Sequence, residues 1–312
     1  MEREIQLHDP FVHLIDPGLY PLAARWYAEQ ESLLRDLEAA YRAMASSAES
    51  LHDRVREDHL IKSCESVLNA YIERKGAEGV DDGRISRLRA LEELRLYVRF
   101  LREVKAQIGC AGKPVNDRVR EDLLAIFDEY IEVIRPAAVF GRFDCTIDES
   151  GVRIEGLDRP FASRSLFRFY TTKWKKEEER EYAEYGSEGS EFKPPAECIL
   201  FAATIGPGVD REVVRLSDEG ENYKALLLNA IGAGAADMVA LDLELHLNAK
   251  HPAEGRRWRR FHVGYSDFRL EEQRQVFEVL DPGRIGIELT PSCLMIPEKS
   301  VSGIVALKHL RK

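Results

Sequence analysis

The chain has 312 residues, 44% hydrophobic, 9% aromatic and 32% charged, long and apolar enough to bury a large core in one or two domains. Its 55 acidic residues outweigh 45 basic ones for a net charge of −10, which argues against a general nucleic-acid or anionic-membrane binder. No apolar run approaches the roughly 20 residues of a membrane span, and Met1-Glu2-Arg3-Glu4 opens no signal peptide. The five cysteines (Cys64, Cys110, Cys145, Cys198, Cys293) are odd in number and far apart, so neither a disulfide framework nor a Cys-x-x-Cys metal knuckle is expected. The expectation is a soluble protein of the reduced cytoplasm.

The first 25 residues read as an irregular arm, because Asp9-Pro10 and Asp16-Pro17-Gly18 interrupt any helix. After Trp26, Leu37, Tyr41, Met44, Ala48, Leu51 and Val55 recur at steps of four and three, and the pattern continues through Leu60, Cys64, Val67 and Tyr71. That is the seam of a helix packing on a partner. Lys75-Gly76 and Asp81-Asp82-Gly83 make a turn, and a second stripe follows through Ile85, Leu88, Leu91, Leu94, Val98, Leu101 and Ile108. Together they predict a helical hairpin whose remaining apolar surface is covered by the other domain or by a second copy of the chain. The domain boundary is placed at Gly109 to Pro114, giving an N-terminal arm and helical domain over 1–112 and a second domain over 113–312.

That second domain opens with a helix from a cap at Asn116 to Ile134, stopped by Arg135-Pro136. The period then shortens to two: Ala138–Phe140, Phe143–Ile147 and Gly151–Ile154 read as strands, with a turn at Asp148 to Gly151. Lys173 to Pro195, rich in Lys, Glu, Gly and Ser, reads as a solvated loop. Cys198–Thr204 is an apolar buried strand that runs into Ile205-Gly206-Pro207-Gly208, with a helix from Asp210. The mixture lacks the regular alternation of a doubly wound sheet. The fold class is α+β: an N-terminal helical hairpin or bundle, then a mixed domain.

Several motifs of catalysis are absent: His-Glu-x-x-His, a phosphate loop ending in Gly-Lys-Ser/Thr, and a Gly-x-Ser-x-Gly elbow. The eight histidines have no ligand spacing, so no metal site is expected. Gly232-Ala233-Gly234 resembles a dinucleotide fingerprint, but helical sequence lies on both sides where a strand is needed before it. Small residues letting one long helix approach a neighbour is the preferred reading. The Thr204 to Asp210 glycine loop fits two roles equally, an anion cradle at a helix start or a tight turn.

Arg256-Arg257-Trp258-Arg259-Arg260-Phe261-His262-Val263-Gly264-Tyr265-Ser266-Asp267-Phe268 is the most informative stretch. Four arginines within five residues are unusual in an acidic chain. Arginine grips carboxylates through a bidentate fork, glycine lets a flat ligand near the backbone, and Phe261, Tyr265 or Phe268 offers a ring for a purine. Taken alone, the stretch also reads as an exposed basic turn entering a strand. Further on, Leu289 to Gly303 reads as a polar, proline-containing loop between strands.

The two stretches together resemble the activation domain of cobalamin-dependent methionine synthase, which binds S-adenosylmethionine (SAM). Its Arg-x-x-x-Gly-Tyr pattern falls on Arg260, Gly264 and Tyr265. Its Leu-Thr-x-Ser-x-x-Met-x-Pro-x-x-Ser-Val-Ser-Gly pattern is met by Leu289, Thr290, Ser292, Met295, Pro297, Ser300, Val301, Ser302 and Gly303. The resemblance covers roughly 113–312 and leaves the N-terminal hairpin unexplained.

The resemblance implies a twisted, mainly antiparallel sheet and a shallow SAM groove, with Arg260 on the SAM carboxylate and backbone near Val263, Gly264 and Tyr265 against the ligand. It implies reductive reactivation, in which an electron from a flavodoxin-like reductant and a methyl group from SAM restore methylcobalamin. Cob(I)alamin is a strong nucleophile and SAM carries its own leaving group, so alignment and exclusion of water suffice and no catalytic side chain is expected. No Asp-x-His-x-x-Gly corrinoid signature is present, so cobalamin would come on a partner: a cobalamin-binding methionine synthase or another corrinoid protein. Two departures stand out. The family pattern continues to a tyrosine-bearing strand that helps hold SAM, whereas Ile304 to Leu310 carries no tyrosine; and Pro291 stands where the synthase has an acidic residue. The alternative expectation is a non-enzymatic docking or assembly protein that keeps the fold without SAM, with the N-terminal helices supplying a homo-oligomer or partner surface.

Overall fold

A computed structural model of the chain describes residues 5–8, 100, 103–110, 117–172, 193–250, 253 and 256–309. Most of the expected helical hairpin, the Asn116 cap and the polar run over 173–192 lie outside these residues. The chain divides into two compact units: Met1–Phe11, Val133–Arg211 and Val239–Lys312 form one, and Val12–Glu132 with Glu212–Met238 the other.

The first unit is built on a seven-stranded sheet of β1 (Ile5–His8), β2 (Ala137–Asp148), β3 (Gly151–Ile154), β4 (Phe161–Ala162), β5 (Glu197–Thr204), β6 (Arg256–His262) and β9 (Ser300–His309). The order is β4-β3-β2-β5-β9-β6, with β1 also on β2, and every pairing is antiparallel. The local sequence of Ile5–His8 indicates an irregular arm; the segment pairs instead with Ala138–Gly141, a contact between distant segments that local sequence does not encode. The two strands expected over 138–147 are one, β2, whose buried residues alternate with exposed ones only toward its far end. Central β5 is buried along almost its whole length, which explains its unbroken apolar run.

One apolar cluster lies on one face of the sheet. Val139, Leu200, Ala202, Phe261 and Ile304 meet Leu166, Phe169 and Tyr170 of α2 (Arg164–Thr171) and Val276, Val279 and Leu280 of α5 (Gln273–Leu280). The Tyr170 hydroxyl donates to the carbonyl oxygens of Arg259 and Ile304, at 2.9 and 3.1 Å. That satisfies its one polar group in an apolar setting, and burial pushes the phenol well above its ordinary value.

In the second unit, α1 (Asp117–Tyr130) buries Leu123, Ile126, Phe127 and Tyr130, a stripe of helical period. The long helix α4 (Asn222–Lys250) contributes its residues up to Met238 here and the rest to the first unit. A single helix across Gly232-Ala233-Gly234 rules out a strand before those glycines. A Cβ at Gly234 would stand 3.0 Å from Phe100 and Val104 side-chain atoms, so the small residue serves close helix packing. Over Asn222–Glu244, α4 is long and apolar enough to cross a membrane, yet 78% of that apolar window is buried within the protein; burial on nearly all sides accounts for the composition.

Candidate functional site

Strand β6 lies at one end of the strand order, hydrogen-bonded to β9. Its other edge is covered by the C-terminal half of α4. Asn248 accepts from Trp258 N–H and donates to Trp258 C=O, both at 3.0 Å, and Glu244 Oε2 accepts from Arg260 N–H at 3.0 Å. Four residues along a helix rise about 6 Å and two along a strand about 6.8 Å, so Glu244 and Asn248 match alternate N–H groups of the edge. An edge covered in this way does not pair with another chain.

Glu244 is also the electrostatic centre of the strand. Its Oε2 lies 3.2 Å from Arg260 Nη1 and its Oε1 3.0 Å from Arg259 Nη1, with 4% of its side chain exposed. The Arg260 side chain is 6% exposed, and its Nε donates to His262 Nε2 at 2.9 Å. Arg256 is exposed and Arg257 half-buried. The four arginines thus form a strand rather than an exposed turn, and they divide between solvent and a buried cluster.

After β6 the chain turns sharply. Gly264 adopts φ +89°, a conformation that favours glycine; its N–H donates to Phe268 C=O at 2.7 Å, and Phe268 N–H returns to Tyr265 C=O at 3.0 Å. Tyr265 stays 47% exposed, its ring centroid 5.8 Å from that of His262. Phe268 is fully buried in the core. Asp267 anchors the turn to α2: its carboxylate accepts from Ser163 Oγ at 2.6 Å and from the N–H groups of Arg164 and Ser165 at 2.9 and 3.1 Å. Partial burial raises the Asp267 carboxyl, but these hydrogen bonds outweigh it and hold the group below the ordinary range.

The second motif lies directly beside the first. Glu288–Leu289 (β7) and Met295–Ile296 (β8) form a small hairpin, tightened where Thr290 Oγ1 accepts from Leu294 N–H at 2.9 Å. Beyond the cis Ile296–Pro297 bond the chain enters β9. Ser300 Oγ donates to Thr204 Oγ1, which accepts in turn from Gly206 N–H, and Lys299 C=O accepts from Ile205 N–H. The glycine loop, which leads into α3 (Gly208–Asp218), is therefore tied into the second motif. A Cβ at Gly208 would stand 2.3 Å from the Val133 carbonyl oxygen, so that glycine answers a packing need and the loop reads as a tight turn.

Ser302 C=O accepts from Val263 N–H at 3.0 Å, while its hydroxyl is buried without a hydrogen-bond partner. Gly303 pairs with His262 on one side and Phe201 on the other. A Cβ at Gly303 would lie 2.4 Å from Phe261 C=O and 3.0 Å from His262 Cα and Phe201 Cε1. The missing side chain lets the rings of Phe201 and His262 meet edge-on across the strand, centroids 5.8 Å apart.

The structure thus brings Arg260 of β6, and Val263, Gly264 and Tyr265 of the turn after it, beside Ser302 and Gly303 of the paired strand β9. Glu244 and Asn248 lie outside the stretch that sequence singles out, and His262 and Asp267 lie within it with no role assigned by sequence. Among the described residues no group of three or more His, Cys, Asp or Glu side chains is arranged to hold a metal.

An antiparallel α+β domain with a glycine–tyrosine turn beside a Ser-Val-Ser-Gly strand defines the class. The family described as vitamin B12 dependent methionine synthase, activation domain, matches residues 113–310, and the chain belongs to it. No curated protein sequence matches the chain. Among solved structures it is similar to the MetH reactivation domain bound to AdoHcy, with 17% identity and a TM-score of 0.46 over 64% of this chain and 71% of that one.

Proposed function

We propose that the domain binds SAM at the turn after β6 and acts in trans, in the cytoplasm, on a cobalamin-carrying methionine synthase or other corrinoid protein supplied with electrons by a flavodoxin-like reductant. The observation that carries the reading is the juxtaposition of the two family motifs, with Val263 bonded to Ser302 and His262 paired with Gly303. The residues fit SAM in kind. Arg260 offers a guanidinium to a carboxylate, and the half-exposed Tyr265 ring offers a face to a flat base. The N–H groups of Val263 and Gly264 are spent on Ser302 and Phe268, so at these two residues a ligand meets carbonyl oxygens. When bound, SAM supplies a methyl group already attached to a sulfonium leaving group. The chain's task is to hold that methyl in line and keep water out.

Titration calorimetry with SAM on the full chain tests the proposal. Saturable binding is expected, weakened in Arg260→Ala by about 1.5–3 kcal/mol, the range for a charged hydrogen-bonded contact. Absence of saturation at millimolar SAM overturns it. One observation favours a second reading: Glu244 already neutralises Arg260 in a buried pair. On that reading the fold survives as a docking or assembly platform, with residues 1–112 as its working surface and the ligand role gone. Light scattering on 113–312 against the whole chain tests the self-association part; an unchanged oligomeric state counts against it.

A further inference from the structure

We infer that His262 is a positioning residue that aims the Arg260 guanidinium from its neutral form, and so makes recognition of a ligand carboxylate sensitive to pH. Arginine has only donors. The 2.9 Å contact from Arg260 Nε to His262 Nε2 therefore needs a lone pair on Nε2, which places the imidazole proton on Nδ1. Glu244 holds Nη1 from the helix side and His262 holds Nε from the strand side. Two fixed points on a planar group set its orientation, and the rest of the fork then faces one direction.

Neighbours fix the imidazole in turn. Phe201 of β5 packs edge-on against it through the gap left by Gly303 of β9, and Tyr265 covers it from the turn. Its charged or titratable neighbours among the described contacts include Arg260 on its own strand, Glu244 of α4 through Arg260, and Tyr265. Protonating Nε2 removes the acceptor and sets a second cation against Arg260. The pair then separates and the guanidinium loses the contact that holds Nε.

This inference rests on the SAM reading for its ligand but not for its geometry, and two measurements on the full chain separate them. Imidazole ¹⁵N NMR near pH 7.5 without ligand is expected to find His262 protonated on Nδ1 and bare on Nε2; a proton on Nε2 overturns the inference whatever the chain binds. SAM titration at pH 7.0, and again at a pH low enough for the same NMR experiment to find Nε2 protonated, is expected to show weaker binding at the lower pH. His262→Leu should bind at pH 7.0 about as weakly as the unmodified chain at the lower pH. His262→Gln, whose amide oxygen can accept from Nε, should recover most of the loss with a flat profile. A His262→Gln protein that keeps the unmodified pH profile overturns the inference. If the unmodified chain binds no SAM at either pH, the ligand reading and the pH-dependent recognition fall together, and the NMR result alone decides whether His262 positions Arg260.

Discussion

Replacing Glu244 with alanine is the sharpest test of the buried cluster. Two opposite charges 3.2 Å apart attract by about 5 kcal/mol at an effective dielectric constant near 20. Desolvation offsets much of that when the pair forms, but removing only the acid leaves a guanidinium that is 6% exposed without its carboxylate. Breaking a buried pair from one side costs about 3–5 kcal/mol. Glu244→Ala also takes the acceptor from the Arg260 N–H. Arg260→Ala should be milder, about 1.5–3 kcal/mol, because Glu244 keeps Arg259 Nη1 and the residue-260 amide. Trp258 is 2% exposed and hydrogen-bonded to Asn248, one helical turn from Glu244. In a Trp26→Phe, Trp174→Phe background it is the sole tryptophan, so its fluorescence reports this unit rather than the whole chain. With a urea slope of about 2 kcal/mol per molar, the Glu244→Ala midpoint should fall by about 2 M. A cost under about 1 kcal/mol, or an Arg260→Ala protein less stable than Glu244→Ala, would refute the reasoning.

Gly303→Ala should cost about 3 kcal/mol, because the new methyl meets a backbone carbonyl at 2.4 Å rather than a side-chain tip; an unchanged urea midpoint would contradict this. Asp267→Ala should cost roughly 0.5–2 kcal/mol, the range for loss of a helix cap. The Asp267 contribution is full above the ordinary aspartate value of about 3.9 and is lost as pH falls through its depressed folded value. Unfolding midpoints of the unmodified and Asp267→Asn proteins should therefore converge in that acid range, and a constant gap would count against it. Cys198 is fully buried, and the Cys145 thiol beside it together with burial pushes its own thiol well above the ordinary value. Mass spectrometry after iodoacetamide treatment should find Cys198 unlabelled in the native protein while half-buried Cys110 reacts; comparable rates would be inconsistent with that environment.

The sequence by itself determined the elements with strong local patterning. The Leu123, Ile126, Phe127 and Tyr130 stripe, the unbroken apolar run of β5 and the turn between Asp148 and Gly151 are short-range signals, and each element formed where its period indicated. Gly264 needs a positive φ and Gly303 a bare backbone, requirements written into residue type, but Ser300–Gly303, which reads as loop, opens β9. Tertiary structure alone decided what Arg260 touches. Glu244 lies 16 residues before it in sequence and reaches it only because a helix rise per turn matches the spacing of alternate edge amides. Likewise Ile5–His8 gains its strand from β2, and Asp267 caps a helix about a hundred residues earlier. Pairings of this kind depend on which surfaces burial brings together, and periodicity along one segment carries no information about them.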